Sequence, residues 1–70
     1  MALERYTSWC ARKYGEDDEF KEAFQKLQKH KIGVDLIEDT ATDVLTDRCG
    51  IPYGIADRLK KNFPKWKATL

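Results

Sequence analysis

The stretch that decides the fold runs from Thr40 to Trp66, and at its centre stands Cys49-Gly50-Ile51-Pro52-Tyr53-Gly54-Ile55. Thr40 is placed as the N-cap of a short helix, and Asp43 three residues later completes a variant of the capping box. Gly50 is expected to take the left-handed conformation that ends this helix, and Pro52 prevents its continuation. The stretch therefore predicts a short helix, a tight apolar turn and a further helix.

The further helix follows from the spacing of the apolar residues after Gly54. They recur at intervals of three and four residues, which places them on one side of a helix: Ile55, Leu59, Phe63, Trp66 and Leu70. Pro64 lacks an N–H and disfavours helix at the residue before it, so we expect the helix to kink there, or to stop and restart. Trp66 lies on the core side, which predicts that the tail folds back onto the rest of the chain.

Two longer helices are predicted upstream, because apolar residues again recur at three or four positions. The first spans Leu3 to Tyr14, and Gly15 is a natural stop. The second begins at a cap formed by Asp17 or Asp18 and runs to about His30. A small helix around Asp35 to Glu38 follows, and no alternating pattern or hairpin signal predicts a strand. The expected fold is all-α, a small bundle of five helices with a very short third one.

Part of this pattern resembles the C-terminal two-thirds of a SAM (sterile alpha motif) domain. The resemblance is carried by Ile32-Gly33, Leu36-Ile37, a threonine-led short helix, Gly50-Ile51, and Gly54 followed by Leu59 and Phe63. Relative to the family pattern, one extra residue precedes Gly50, and Ala56 stands where arginine is common. The resemblance implies a five-helix bundle that mediates protein–protein association. Residues 1–70 are thus identified as one divergent, SAM-like domain.

Composition narrows the classes of protein to which the chain can belong. Hydrophobic residues make up 41% of the chain and charged residues 36%. The net charge is only +1, so the overall charge does not indicate binding to nucleic acid or to an anionic membrane. No run approaches the roughly 20 apolar residues of a membrane span.

Cys10 and Cys49 stand in apolar contexts without a Cys-x-x-Cys pair. They are predicted to be buried free thiols in a reducing, intracellular compartment, cytoplasmic or nuclear, although one disulfide between them is an open alternative.

No pattern in the sequence is typical of an enzyme or a metal site. His30 is the only histidine, and it lies in a basic helix end. Together with Cys10 and Cys49 it lacks the paired close spacing of a structural zinc site. A domain this small also has little room to enclose a substrate pocket of several hundred Å³. We therefore expect a non-enzymatic protein with no cofactor, no metal and no small-molecule substrate.

The strongest functional signal is the segregation of charge along the chain. Between Ile32 and Asp47 every ionisable residue is acidic, and we call this set the acidic face: Asp35, Glu38, Asp39, Asp43 and Asp47. From Arg58 onward every ionisable residue is basic. With the apolar candidates before them, the start of the last helix forms what we call the basic face: Tyr53, Ile55, Arg58, Lys60, Lys61 and Lys65.

The two faces predict how copies of the chain would associate. They are complementary but distinct, so like molecules would join head to tail, with Tyr53 and Ile55 as apolar anchors. The SAM resemblance implies the same two surfaces, the middle of the domain and the start of the last helix. The expected partner is a second copy or another SAM-like domain. Chance placement of capping acids and a solvated basic helix is the plainer alternative.

Nucleic-acid binding is the second function that the sequence leaves open. Gly50-x-Pro52-x-x-x-Ala56-x-x-Leu59 resembles a helix-hairpin-helix element, which binds DNA backbones through turn amides. Pro52 stands where the second glycine belongs, and it has no N–H to offer a phosphate. Some SAM domains bind RNA hairpins through a basic last helix. In this chain Arg58, Lys60, Lys61 and Lys65 could serve, although the acidic junction Glu16-Asp17-Asp18-Glu19 would repel phosphate.

Overall fold

Five helical segments build the part of the chain that the computed structural model describes, residues 2–70. They are α1 (Ala2–Tyr14), α2 (Asp17–Lys29), α3 (Val34–Ile37), a π-helical turn (Val44–Arg48) and α4 (Tyr53–Lys67). No strand occurs among these residues, so the predicted all-α fold is confirmed. α1 packs most extensively against α2, and α4 contacts all the other segments. Over residues 2–70, every helix is too short or too polar to cross a bilayer.

The core forms where the inner sides of α1, α2 and α4 meet the middle of the chain. Tyr6, Phe20 and Leu27 are completely buried, as are Ile37, Leu45, Ile51 and Leu59 from the later segments. Phe63 and Trp66 continue the predicted inner side of α4. Leu70 does not, since it is 81% exposed. α4 ends at Lys67, so the helical period that would have turned Leu70 inward no longer applies.

Three helix ends depend on a left-handed residue. Gly15 and Gly50 have φ values of +67° and +72°, which confirms the stops predicted at both glycines. Lys31 has φ +58° without being a glycine, and it closes α2. Its N–H donates to the Gln28 carbonyl at 3.0 Å, and the Ile32 N–H donates to the Leu27 carbonyl at 2.9 Å. This is the Schellman arrangement with lysine at the position that usually holds glycine, which is why composition did not reveal it.

The short helix before Gly50 begins and winds differently from the prediction. Thr40 is not its N-cap, because the Thr40 hydroxyl donates back to the Leu36 carbonyl at 2.6 Å, and Asp43 makes no side-chain capping bond. The Cys49 N–H reaches the Val44 carbonyl, five residues back, at 3.2 Å. A π-helical turn holds one more residue per hydrogen-bonded ring than an α-helical turn. The segment before Gly50 therefore takes up one more residue than an α-helical turn would.

Pro64 does not divide the last helix, so of the two outcomes expected there, a kink or a stop and restart, the second does not occur. α4 runs continuously from Tyr53 to Lys67 with Pro64 inside it. The proline is exposed and lies within the last turn, so its missing N–H removes a single hydrogen bond near a helix end. The last turn of α4 is still hydrogen-bonded beyond the proline, because the Ala68 N–H donates to the Pro64 carbonyl at 3.1 Å. Trp66 is thereby carried onto the core, as predicted.

Candidate functional site

The acidic face lies on the least regular part of the chain. Asp35 belongs to α3, Glu38 and Asp39 follow it, and Asp43 and Asp47 flank or belong to the π-helical turn. All five carboxylates are exposed. Within residues 2–70 none of them pairs with a lysine or arginine. The face therefore presents negative charge that the described part of the chain leaves uncompensated.

Leu36 adds an exposed apolar side chain to the acidic face, a role that was not predicted from the sequence. It is 44% exposed, whereas its neighbour Ile37 is completely buried. Adjacent residues on a helix point about 100° apart, so a helix of one turn cannot turn both side chains to the core. The signal was present in the sequence, as two adjacent large apolar residues in a segment too short to be buried on all sides.

The basic face is only partly available at the surface. Tyr53, the first residue of α4, is 69% exposed, Lys61 and Lys65 are exposed, and Lys60 is half-buried. Ile55 is only 5% exposed, so its prediction as a surface anchor is wrong. The same three-and-four spacing that placed Ile55 with Leu59 on one side of the helix turns it into the core.

Arg58 is engaged inside the molecule rather than offered to a partner. Its guanidinium pairs with Glu16 at the α1–α2 junction and lies over the Tyr14 ring, 4.4 Å from the ring centroid. One helical turn later, Lys61 lies 3.7 Å from the Asp57 carboxylate. Arg58 thus braces α4 against the junction. The RNA alternative loses one of its four cations to a carboxylate of that same junction.

Asn62 connects these groups beneath the surface. Its side-chain amide donates to the Tyr14 hydroxyl at 2.6 Å and to the Arg58 carbonyl at 2.9 Å, and its oxygen accepts from Lys13 Nζ at 3.0 Å. The residue is completely buried, and every polar atom of its side chain is satisfied, which is the condition for tolerating a buried amide. Sequence reasoning missed it, although a polar residue between Leu59 and Phe63 was the available signal.

Two thiols and one phenol lie buried away from both faces. Cys10 and Cys49 are free, which agrees with the predicted buried thiols, and burial raises the pKa of each. The Tyr6 hydroxyl donates to the Leu59 carbonyl, and burial raises the pKa of Tyr6 as well. Among residues 2–70 no three potential metal ligands converge. These groups hold the core together, and none of them reaches the acidic or the basic face.

Comparisons with known proteins add no identification. The chain matches no family model, no curated protein and no solved structure. Chemistry at the surfaces described above is therefore the basis on which a function can be proposed.

Proposed function

We propose that the chain is a SAM-like, non-catalytic module for protein–protein association, and that it joins copies of itself head to tail. The supporting observation is the position of exposed apolar side chains. Among the described residues, three large ones stand out from the surface: Leu36, Tyr53 and Leu70. Leu36 lies within the acidic face and Tyr53 at the edge of the basic face, so each charged surface carries one apolar anchor.

The charged residues and the apolar anchors contribute differently to such a contact. Rim charges orient the partners and accelerate encounter, while most of the affinity comes from a few side chains buried at the centre. Tyr53 suits the central position because its ring is large and its hydroxyl can still reach a polar partner. On the opposing copy, Leu36 would be surrounded by the carboxylates of the acidic face.

The cationic half of the contact consists of Lys60, Lys61 and Lys65, which lie about 10–18 Å beyond Tyr53 along α4. Lys61 already pairs with Asp57, but the two side chains are 67% and 46% exposed, and such surface pairs contribute little energy. The pair can therefore exchange for an intermolecular one at small cost. Because the two faces differ, each copy keeps one face free after joining, and the assembly closes as a ring or grows as a helical filament. Free buried thiols favour a reducing, intracellular setting for it.

Sedimentation velocity with charge-reversal variants tests the proposal. The sedimentation coefficient of the wild-type protein should rise with protein concentration. It should fall as the salt concentration rises, because salt screens the charges that join the copies. Asp39→Lys with Asp43→Lys spoils the acidic face, and Lys61→Glu with Lys65→Glu spoils the basic face. Each double variant alone should be monomeric. Their mixture should give a dimer and nothing longer, since one intact face remains on each molecule.

The matched control reverses two cations elsewhere. Arg5→Glu with Arg12→Glu changes the net charge as much as the basic-face variant does, but on α1. It should assemble like wild type. A wild type that stays monomeric at high micromolar concentration in low salt would rule out association of the chain with itself.

A further inference from the structure

A groove of about 520 Å³ lies between α1 and the C-terminal part of α4, outside the acidic and basic faces. Three cations line it, Arg5 and Arg12 from α1 and Lys21 from α2. Both tryptophans of the chain, Trp9 and Trp66, line it too. Neither the composition nor the SAM resemblance pointed to this place, because its residues come from three separate segments.

The groove carries an excess of positive charge. Within residues 2–70, Arg5, Arg12 and Lys21 form no ion pair with a carboxylate. Glu4 is the single acidic residue in the lining. Arg5 and Arg12 are seven residues apart on α1, which separates them by about 10 Å along the helix axis. That distance corresponds to about three residues of an extended chain. The groove therefore matches a ligand with spaced negative charges.

Both tryptophans already pack against other side chains of the molecule. Tyr6 stacks on Trp9 with ring centroids 6.3 Å apart, and Lys13 Nζ lies 5.2 Å from the Trp9 ring centroid. Tyr6 precedes Trp9 by about one helical turn and Lys13 follows it by about one, so both are its neighbours on α1. Trp66 is almost buried and packs on Tyr6, at 5.1 Å between centroids. A nucleobase needs a free ring on which to stack, so this site disfavours single-stranded nucleic acid.

We propose that the groove binds an extended acidic peptide segment of a partner protein. Carboxylates of the peptide pair with Arg5, Arg12 and Lys21, and each of the two guanidinium groups can donate two parallel N–H bonds to one carboxylate. One apolar side chain of the peptide packs on the exposed edge of Trp9. Glu4 and the Ser8 hydroxyl also line the groove, and both can accept hydrogen bonds from peptide N–H groups. This site is separate from the association faces and does not depend on them.

The chain carries its own reporter for the test, because both tryptophans line the groove. The probe is a capped synthetic peptide of glutamates and aspartates around a central Leu-Phe pair. The matched control peptide replaces every acidic residue by its amide. We expect the acidic peptide to change the tryptophan fluorescence saturably, with an affinity that falls as salt rises. No response at millimolar peptide, or an equal response to the amide peptide, would overturn the proposal.

Variants then locate the site. Arg5→Glu with Arg12→Glu should weaken binding by more than about tenfold, since like charges then face the peptide. Arg5→Gln with Arg12→Gln should weaken it less, and helical circular dichroism checks that both variants fold. Lys61→Glu with Lys65→Glu, the basic-face variant, should bind the peptide like wild type even where it no longer self-associates. Equal weakening by that variant, or tighter binding of an oligouridylate than of the peptide, would overturn the proposal.

Discussion

In the frame formed by α1, α2 and α4, Arg58 pairs with Glu16, Lys61 with Asp57 and Lys26 with Glu22. In the middle segment, residues 30–52, none of the five carboxylates of the acidic face has such a partner within residues 2–70. Both regions bury apolar side chains completely, as Leu59 in the frame and Leu45 in the middle segment show. The difference between the regions therefore concerns charge, not packing.

Helix length accounts for part of the contrast. Two of the three ion pairs of the frame join residues four apart on one helix, which requires more than one turn. α3 has four residues, too few for a pair four apart, and in the five-residue π-helical turn the residue four before Arg48 is Val44, which has no charge. Long helices do not always pair their charges, because Arg5 and Arg12 on α1 and Lys21 on α2 also lack a carboxylate partner within residues 2–70. A side-chain hydrogen bond also crosses between the regions, from Lys26 Nζ to the Gly50 carbonyl at 2.7 Å.

Equal burial in the two regions predicts equal sensitivity to cavities. Leu59→Ala and Leu45→Ala should each lower the free energy of unfolding by about 2–5 kcal/mol, from lost burial and the cavity left behind. Urea denaturation followed by circular dichroism measures both. The control, Leu70→Ala, removes the same atoms from an exposed side chain and should change stability by less than about 0.5 kcal/mol. A normal midpoint for Leu45→Ala would mean that the middle segment unfolds independently of the frame.

The polar network of the frame is the next test. Asn62→Ala removes the partner of the Tyr14 hydroxyl and of Lys13 Nζ, and should cost roughly 1–3 kcal/mol in unfolding free energy. Gln25→Ala removes an exposed amide from α2 and serves as the control. If the two variants melt at the same temperature, the Asn62 contacts contribute nothing net, and the frame rests on its apolar packing alone.

Alkaline pH should destabilise the frame through two buried groups. The ordinary pKa of cysteine is 9.0 and that of tyrosine 10.0, and burial raises both pKa values, for Cys10 and Tyr6. Their stabilising effect is complete below pH 9. As the pH rises further, the unfolded chain loses these protons first, so stability should fall by up to about 1.4 kcal/mol per pH unit for each group.

Urea midpoints between pH 7 and pH 11 check this slope. Tyr6→Phe should be less stable at neutral pH, because the hydrogen bond to the Leu59 carbonyl is lost. Above pH 10 its free energy of unfolding should depend less on pH than that of the wild type. A wild-type stability that does not change up to pH 11 would contradict the burial of both groups.

The smallest expected effect lies where the frame meets the middle segment, at Lys31. Lys31→Gly should raise the free energy of unfolding by about 0.5–1 kcal/mol, since glycine adopts a positive φ without steric cost. Gly50→Ala is the mirror experiment and should lose a similar amount. An added Cβ at Gly50 would lie 3.8 Å from Lys26 Nζ, so that loss is due to the backbone rather than a clash. No gain from Lys31→Gly would argue against the left-handed turn at the end of α2.

The sequence predicted the frame far better than the middle segment or the candidate surfaces. Periodic spacing of apolar residues locates α1, α2 and α4 because each presents one inner side over several turns. Thr40 misled because an isolated threonine suits both a helix start and a bond back to the preceding turn. Arg58 was assigned to the surface because its partner, Glu16, lies 42 residues away and only the tertiary fold brings them together. The groove escaped for the same reason.

The two buried thiols can report how often each of the two regions opens. Cys10 lies in the frame and Cys49 at the end of the π-helical turn, and neither can meet an alkylating reagent until its surroundings open. The rate at which each thiol is modified in native conditions therefore counts openings of its own region. Equal rates would mean that the chain opens as one unit. Faster modification of Cys49 would mean that the segment carrying the acidic face opens locally while the three long helices stay folded.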